Sequence, residues 1–120
     1  MQIQKSFAAA DQGTLFLVPT PIGNLDDMTM RSIKTLQEVD LIAAEDTRNT
    51  GKLLAYFKIE TPQISFHEHN TQQRIPELLA KLAAGVSIAQ VSDAGMPSIS
   101  DPGKELVKAA VAADIAVVPL

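Results

Sequence analysis

The sequence contains no cysteine. That removes disulfides, thiolate metal sites and a thiol nucleophile together, and it suits a reducing compartment such as the cytoplasm. Tryptophan is absent and aromatics make up only 4%, which argues against a stacking platform for single-stranded nucleic acid and leaves aliphatic side chains to fill the core. A basic excess is also lacking: ten Lys and Arg face fourteen Asp and Glu, a net charge of -4. Any RNA contact therefore needs help from outside this segment. No apolar run approaches the length of a membrane span, so no membrane partner is expected. Met1 to Gly13 carries one lysine and a short apolar patch at Phe7 to Ala10, too weak for a signal peptide, and residues 1–12 read as a flexible tail. Neither G-x-G-x-x-G nor G-x-x-x-x-G-K-[ST] occurs, so pyrophosphate cradling is a poor hypothesis. No repeat, low-complexity tract or linker divides the rest, and 13–120 reads as one domain.

What is present is alternation. Five apolar runs have the composition of buried strands: Leu15 to Val18, Leu41 to Ala44, Gln63 to Phe66, Val86 to Val91 and Ile115 to Val118. Helical patterns lie between them. Met30, Ile33, Leu36 and Val39 repeat every three residues; Leu53, Leu54 and Phe57 cluster; Ile75, Leu78, Leu79, Leu82 and Ala83 form a stripe; Leu106, Val107, Ala110 and Val111 form the last. Pro76 sits inside the third pattern and predicts a bend or a boundary near Arg74. Strand and helix in strict turn predict an α/β fold: a parallel five-stranded sheet with helices on both faces, an αβα sandwich.

Parallel strands send their carboxyl ends to one edge, and the polar chemistry of this chain gathers in the segments that follow them. Pro19 to Leu25 joins strand to helix with two prolines and a glycine, either as a tight turn or as a close approach to a ligand. Glu45-Asp46-Thr47-Arg48 sets two carboxylates and a guanidinium after a strand; a carboxylate there can take a proton and Arg48 can hold a phosphate, while Asp46 or Thr47 can equally cap the next helix. His67-x-His69 puts two imidazoles on one side of an extended chain, a weak metal signal, with hydrogen bonding to substrate or loops the favoured role. Asn70 is a further helix-cap candidate. Val91 to Gly103 is the most specialised segment: Asp93 can accept from hydroxyls or amines, Ala94-Gly95 admits a flat ligand, Pro97 and Pro102 stiffen the loop, and Asp101-Pro102 supplies an N-cap and a first-turn proline.

Four of these segments, Val18-Pro19-Thr20-Pro21-Ile22-Gly23-Asn24-Leu25, Ala44-Glu45-Asp46-Thr47-Arg48, His67-x-His69-Asn70 and Val91 to Gly103, resemble in order and spacing the ribosomal-RNA branch of the tetrapyrrole methylase superfamily. The resemblance runs from Gly13 to Leu120. It implies the superfamily's amino-terminal domain, use of S-adenosyl-L-methionine, and methylation of a cytidine ribose 2′-hydroxyl in the 16S RNA of the small ribosomal subunit. It also implies a homodimer and a second α/β domain, absent here, that completes the donor cleft, so that this segment alone is expected to be inactive. The donor-facing wall it implies is Ile22 and Gly23, shaped by Pro21, with Ser92, Asp93, Ala94, Gly95 and Ile99. Glu45, Asp46, Arg48, His69 and Asn70 fall on the substrate side. Thr71 stands where relatives often carry Glu, and Asp114 where they often carry Gly, a position that Asp tolerates.

Methyl transfer is an in-line displacement, so holding the line supplies much of the gain. The attacking hydroxyl must lose its proton, which makes Asp46 and His69 the catalytic candidates. No metal is required. The alternatives are a C- or N-methyltransferase acting on a tetrapyrrole or other small molecule, and a non-catalytic ligand-binding domain, because fold alone does not fix substrate.

Overall fold

The computed structural model describes residues 12–21, 25–93 and 101–120, the side chains of Ser92, Asp93 and Asp101 apart. The chain enters the fold at Gly13, whose N–H donates to Leu82 O (2.8 Å). A Cβ at Gly13 would overlap the backbone carbonyl of Val86, so only glycine fits this approach. Five strands follow: β1 (Leu15–Thr20), β2 (Leu41–Ala44), β3 (Gln63–Ser65), β4 (Ile88–Asp93) and β5 (Val117–Pro119). They form one sheet in the order β3-β2-β4-β1-β5, and every pairing is parallel. Four α-helices connect them among the described residues: α1 (Met30–Glu38), α2 (Thr47–Tyr56), α3 (Thr71–Ala83) and α4 (Asp101–Ala112), with a 3-10 turn at Leu25–Asp27.

Side-chain alternation along the strands splits the core in two. Val18, Ile42, Ala44, Ala89 and Val91 pack with Leu36 of α1 and Leu53 and Leu54 of α2. Leu15, Ala43 and Ile88 pack on the other face with Leu78 and Leu82 of α3 and Leu106 and Ala110 of α4. The first two crossovers move toward β3 and the last two toward β5, so a single crossover hand puts α1 and α2 on one face and α3 and α4 on the other. The αβα sandwich predicted from alternation is the fold.

The element boundaries differ from the sequence pattern in informative ways. Strand β1 runs two residues past Val18. Pro19 is tolerated because β5 pairs with β1 only as far as Leu17, and the missing donor lies on that open side. Strands β4 and β5 start later than predicted, because Val86 and Ile115 complete helix ends instead. Three helices close with the same pair of bonds. At α2, Ile59 N–H donates to Leu54 O (2.8 Å) and Lys58 N–H to Ala55 O (3.2 Å). At α3, Val86 reaches Lys81 O (2.9 Å) and Gly85 reaches Leu82 O (3.1 Å). At α4, Ile115 reaches Ala110 O (2.9 Å) and Asp114 reaches Val111 O (3.1 Å). The apolar residue after each left-handed position packs back on its helix, and in sequence it looks like the start of a strand.

Met30 and Val111, placed on apolar stripes by spacing, are 82% and 60% exposed. A three-residue repeat drifts around a helix of 3.6 residues per turn, and by Leu36 the core face has moved away from Met30. Of the bend or boundary predicted near Arg74, the boundary is not there. Helix α3 is continuous from Thr71 with Pro76 in its second turn, and the Gln72 carbonyl left without its donor belongs to an exposed residue. Helix α4 begins at Asp101 itself, one residue before the predicted position, with Pro102 in its first turn.

At the β5 edge, Leu15 N–H donates to Ala116 O (2.9 Å) and Leu120 N–H to Leu17 O (3.0 Å). Even-numbered residues of β5 thus face β1, and Pro119 turns its nitrogen outward.

Candidate functional site

The strand order sorts the predicted rim. Strands β1 and β4 are neighbours and end level, with Pro19 opposite Ser92 and Thr20 opposite Asp93. Strands β2 and β3 are neighbours on the other half, with Ala44 opposite Ser65. In each pair the outgoing helices leave to opposite faces, α1 against α4 and α2 against α3. Such divergence at the carboxyl ends of the strands marks the usual ligand position in open α/β sheets. Of the donor-side residues expected from the sequence, the described ones, Pro21, Ser92 and Asp93, belong to the β1/β4 half, and the expected substrate-side residues follow β2 and β3.

On the first half, Thr20 is buried and Pro21 half-buried. Ser92 and Asp93, read from sequence as loop, have strand backbone at the end of β4. Ile22, Gly23, Ala94, Gly95 and Ile99 lie outside the described residues. The turn Leu25–Asp27 is tied to the end of α2 by the Tyr56 hydroxyl, which donates to Asp26 Oδ1 (3.1 Å). That bond, then the nearby carboxylate charge, raises the Tyr56 pKa above its ordinary value, because a phenolate there would both lose the bond and face an anion.

On the second half, Glu45, Asp46 and Arg48 are exposed. Asp46 is the N-cap of α2: its Oδ1 accepts from the N–H of Arg48 (3.0 Å) and of Asn49 (3.3 Å). Both bonds fall on one oxygen, and Oδ2 takes no part in the cap. Asn70 occupies the N-cap position of α3 but makes no side-chain cap. Its Oδ1 instead accepts from His67 N–H (2.9 Å), and its Nδ2 donates to Ser65 O (3.3 Å) and Ser65 Oγ (3.2 Å). The amide is spent on folding the turn back onto β3, which is why it is not free to cap.

His67 and His69 do not alternate along an extended chain, because residues 68–70 form a turn. The His67 ring folds inward and its Nδ1 accepts from His69 N–H (3.2 Å). An accepting Nδ1 in a neutral ring places the proton on Nε2. The 3.4 Å approach of Asn70 Nδ2 to that nitrogen then sets two donors against each other and is a contact only. The His69 side chain is 83% exposed, with Nε2 3.7 Å from Glu68 Oε1. Among the described residues no group of three or more His, Asp or Glu is placed to hold a metal ion, and no helix is long and apolar enough to cross a membrane.

Sequence reasoning missed one participant and one cavity. Arg74 donates from Nε to Ser65 O (2.9 Å), from Nη2 to Ser65 Oγ (3.4 Å) and from Nη1 to Glu77 Oε1 (3.0 Å). The Arg74–Glu77 spacing of three was a visible signal for the ion pair; nothing in the sequence tied it to Ser65. A cavity of about 250 Å³ lined by Phe16, Thr35, Glu38, Val39 and Ser87 lies at the opposite, amino-terminal edge of the strands.

Comparison with known proteins identifies the family. Residues 14–120 match the family model described as Tetrapyrrole (Corrin/Porphyrin) Methylases. The chain is 67% identical over its whole length to a protein of Streptococcus pyogenes named "Ribosomal RNA small subunit methyltransferase I", of which it covers 42%. It is likewise 67% identical over 90% of its length to the protein of that name from Synechocystis, covering 39% of it. Among solved structures, uroporphyrin-III-C-methyltransferase from Thermus thermophilus superimposes with a TM-score of 0.70 at 18% identity, over 90% of this chain and 46% of that one. The chain thus spans well under half the length of the curated relatives it matches, and at 18% identity the structural likeness speaks to fold alone.

Proposed function

Because the chain belongs to the tetrapyrrole (corrin/porphyrin) methylase family, we propose that it forms the amino-terminal half of an S-adenosylmethionine-dependent methyltransferase. The enzyme acts in the cytoplasm on the 16S RNA of the small ribosomal subunit, at the ribose 2′-hydroxyl of a cytidine. The observation that carries this reading is the strand order, which sets the ends of β1 and β4 side by side and those of β2 and β3 side by side along one carboxyl rim, so that donor and substrate segments can face one reaction centre. The name of the streptococcal relative supports RNA as the substrate.

The β1/β4 half suits a cationic donor. No Lys or Arg occurs from Thr14 to Asp27 or from Ser87 to Asp101, so these segments carry nothing to repel a sulfonium. When bound, the donor supplies an electrophilic methyl carbon attached to a neutral leaving group. The strand ends level at Thr20 and Asp93, together with Pro21, Ile22, Gly23, Ser92, Ala94, Gly95 and Ile99, are the residues that would hold it. On the other half, Arg48 is the partner for a backbone phosphate, with Glu45 and Asn70 beside it. The Asp46 oxygen left outside the helix cap and the exposed His69 ring are the two groups able to take the hydroxyl proton. Most of the rate gain falls to geometry, because aligning oxygen, methyl carbon and sulfur replaces a bimolecular encounter by a positioned one.

Incubating the full-length protein with methyl-labelled donor and small ribosomal subunits lacking the modification should place label on a cytidine ribose. Label on a macrocycle alone, or on a base, would refute the assignment. Residues 1–120 by themselves should bind the donor weakly in calorimetry, since the second wall belongs to the other half.

A further inference from the structure

The outward carbonyl of β3 is held more firmly than an edge strand requires. Phe66 N–H donates inward to Ala44 O (2.8 Å), so Ser65 directs its own carbonyl away from the sheet. Covering an edge acceptor takes one donor, and Asn70 already provides one. Arg74 adds Nε to the same carbonyl at 2.9 Å and Nη2 to the Ser65 hydroxyl at 3.4 Å. The guanidinium is anchored in turn by Glu77 at 3.0 Å, and the Arg74 side chain is only 23% exposed.

From Ser65 the restraint passes along a short series of bonds. Asn70 Nδ2 shares both Ser65 oxygens with Arg74, Asn70 Oδ1 fixes His67 N–H, and His67 Nδ1 fixes His69 N–H. Asn70 N–H also closes the turn on His67 O (3.0 Å), and Arg74 N–H donates to Asn70 O (2.8 Å). The backbone at His69 is therefore restrained from both sides while its ring stays in solvent. We propose that Arg74 is a positioning residue, acting through Ser65 and Asn70 to aim the His67–Asn70 turn, and with it His69, at the substrate half of the rim. The inference rests on the reading of His69 as a substrate-side group.

The planar fork of arginine is what the site uses. Nε and Nη2 reach two oxygens of one residue while Nη1 meets a carboxylate, and a lysine ammonium cannot span all three. In the full-length enzyme, Arg74→Ala should lower kcat on the order of 10- to 100-fold, the penalty of a misplaced group, with the donor KM unchanged. Arg74→Lys should show a smaller loss of the same kind at an unchanged melting temperature, and it carries the test if the alanine variant does not fold. In a His69→Ala background, either Arg74 substitution should cost nothing further, because what it aims is gone. Losses that multiply with that of His69→Ala, or single Arg74 variants with normal kcat, would overturn the positioning role and leave the reading of His69 standing. A His69→Ala enzyme with normal kcat would overturn the reading of His69, and the positioning role with it.

Discussion

Asp46 shows how one side chain can serve structure and chemistry together. Its Oδ1 holds the first turn of α2 through Arg48 and Asn49, and the carboxylate is otherwise exposed at the rim. The two roles separate by substitution. Asp46→Asn keeps the capping oxygen, since asparagine caps as well as aspartate, and should change stability by less than about 0.5 kcal/mol. Asp46→Ala should cost about 1 kcal/mol in denaturant unfolding. If Asp46 takes the hydroxyl proton, both variants of the full-length enzyme lose activity in the range of 100-fold or more. If activity follows stability instead, with Asn near normal, the residue is a cap and the proton goes to His69. The sequence offered both readings of Asp46 and could not choose, because an N-cap and a general base draw on the same residue types. For Asn70 it suggested a cap that the structure replaces by the Ser65 lock, a contact between residues five apart that no local pattern encodes.

At the scale of elements, three helix ends share one geometry with three different residues in the left-handed position: Lys58 (φ 56°), Gly85 (φ 101°) and Asp114 (φ 60°). Only Gly85 occupies it without a Cβ penalty. Lys58→Gly and Asp114→Gly should each raise stability, by about 1 kcal/mol for lysine and somewhat less for aspartate, read as a shift of the urea midpoint at constant slope. The tolerance expected of Asp114 from the sequence agrees with its observed backbone. The same motif explains why strands were placed too early. Ile59, Val86 and Ile115 are apolar because each packs against the helix it terminates, with Ile115 and Ala110 buried in one cluster, and composition does not distinguish that duty from the first residue of a strand. Helix positions were more legible than their faces: Leu36, Leu78 and Leu106 are fully buried as spacing predicted, whereas Met30 and Val111 are not.

Across the whole molecule, the sheet separates two apolar layers that meet only through it. Leu36 lies in one layer and Leu82 in the other, both fully buried. Each change to alanine should cost about 2–5 kcal/mol. Because the two lie in separate clusters on opposite faces of the sheet, the double variant should lose the sum to within about 0.5 kcal/mol; a clear departure in denaturant titrations would show that the layers communicate through β2 and β4. Strand-helix alternation made this architecture readable, since it restricts the crossover hand and hence the layering. Strand order was not readable: nothing local says that β4 inserts between β2 and β1, and it is that insertion which assembles the two halves of the rim.

The outward nitrogen of Pro119 has a consequence for how this chain lives among other chains. At one end of the sheet the row of donors is interrupted by a ring that has none to give; at the other, the free acceptor of Ser65 is already occupied by Arg74 and Asn70. A foreign strand therefore meets a missing donor at one margin and an occupied acceptor at the other, so backbone pairing between crowded copies of this domain is weakened at both, and association is left more to side chains.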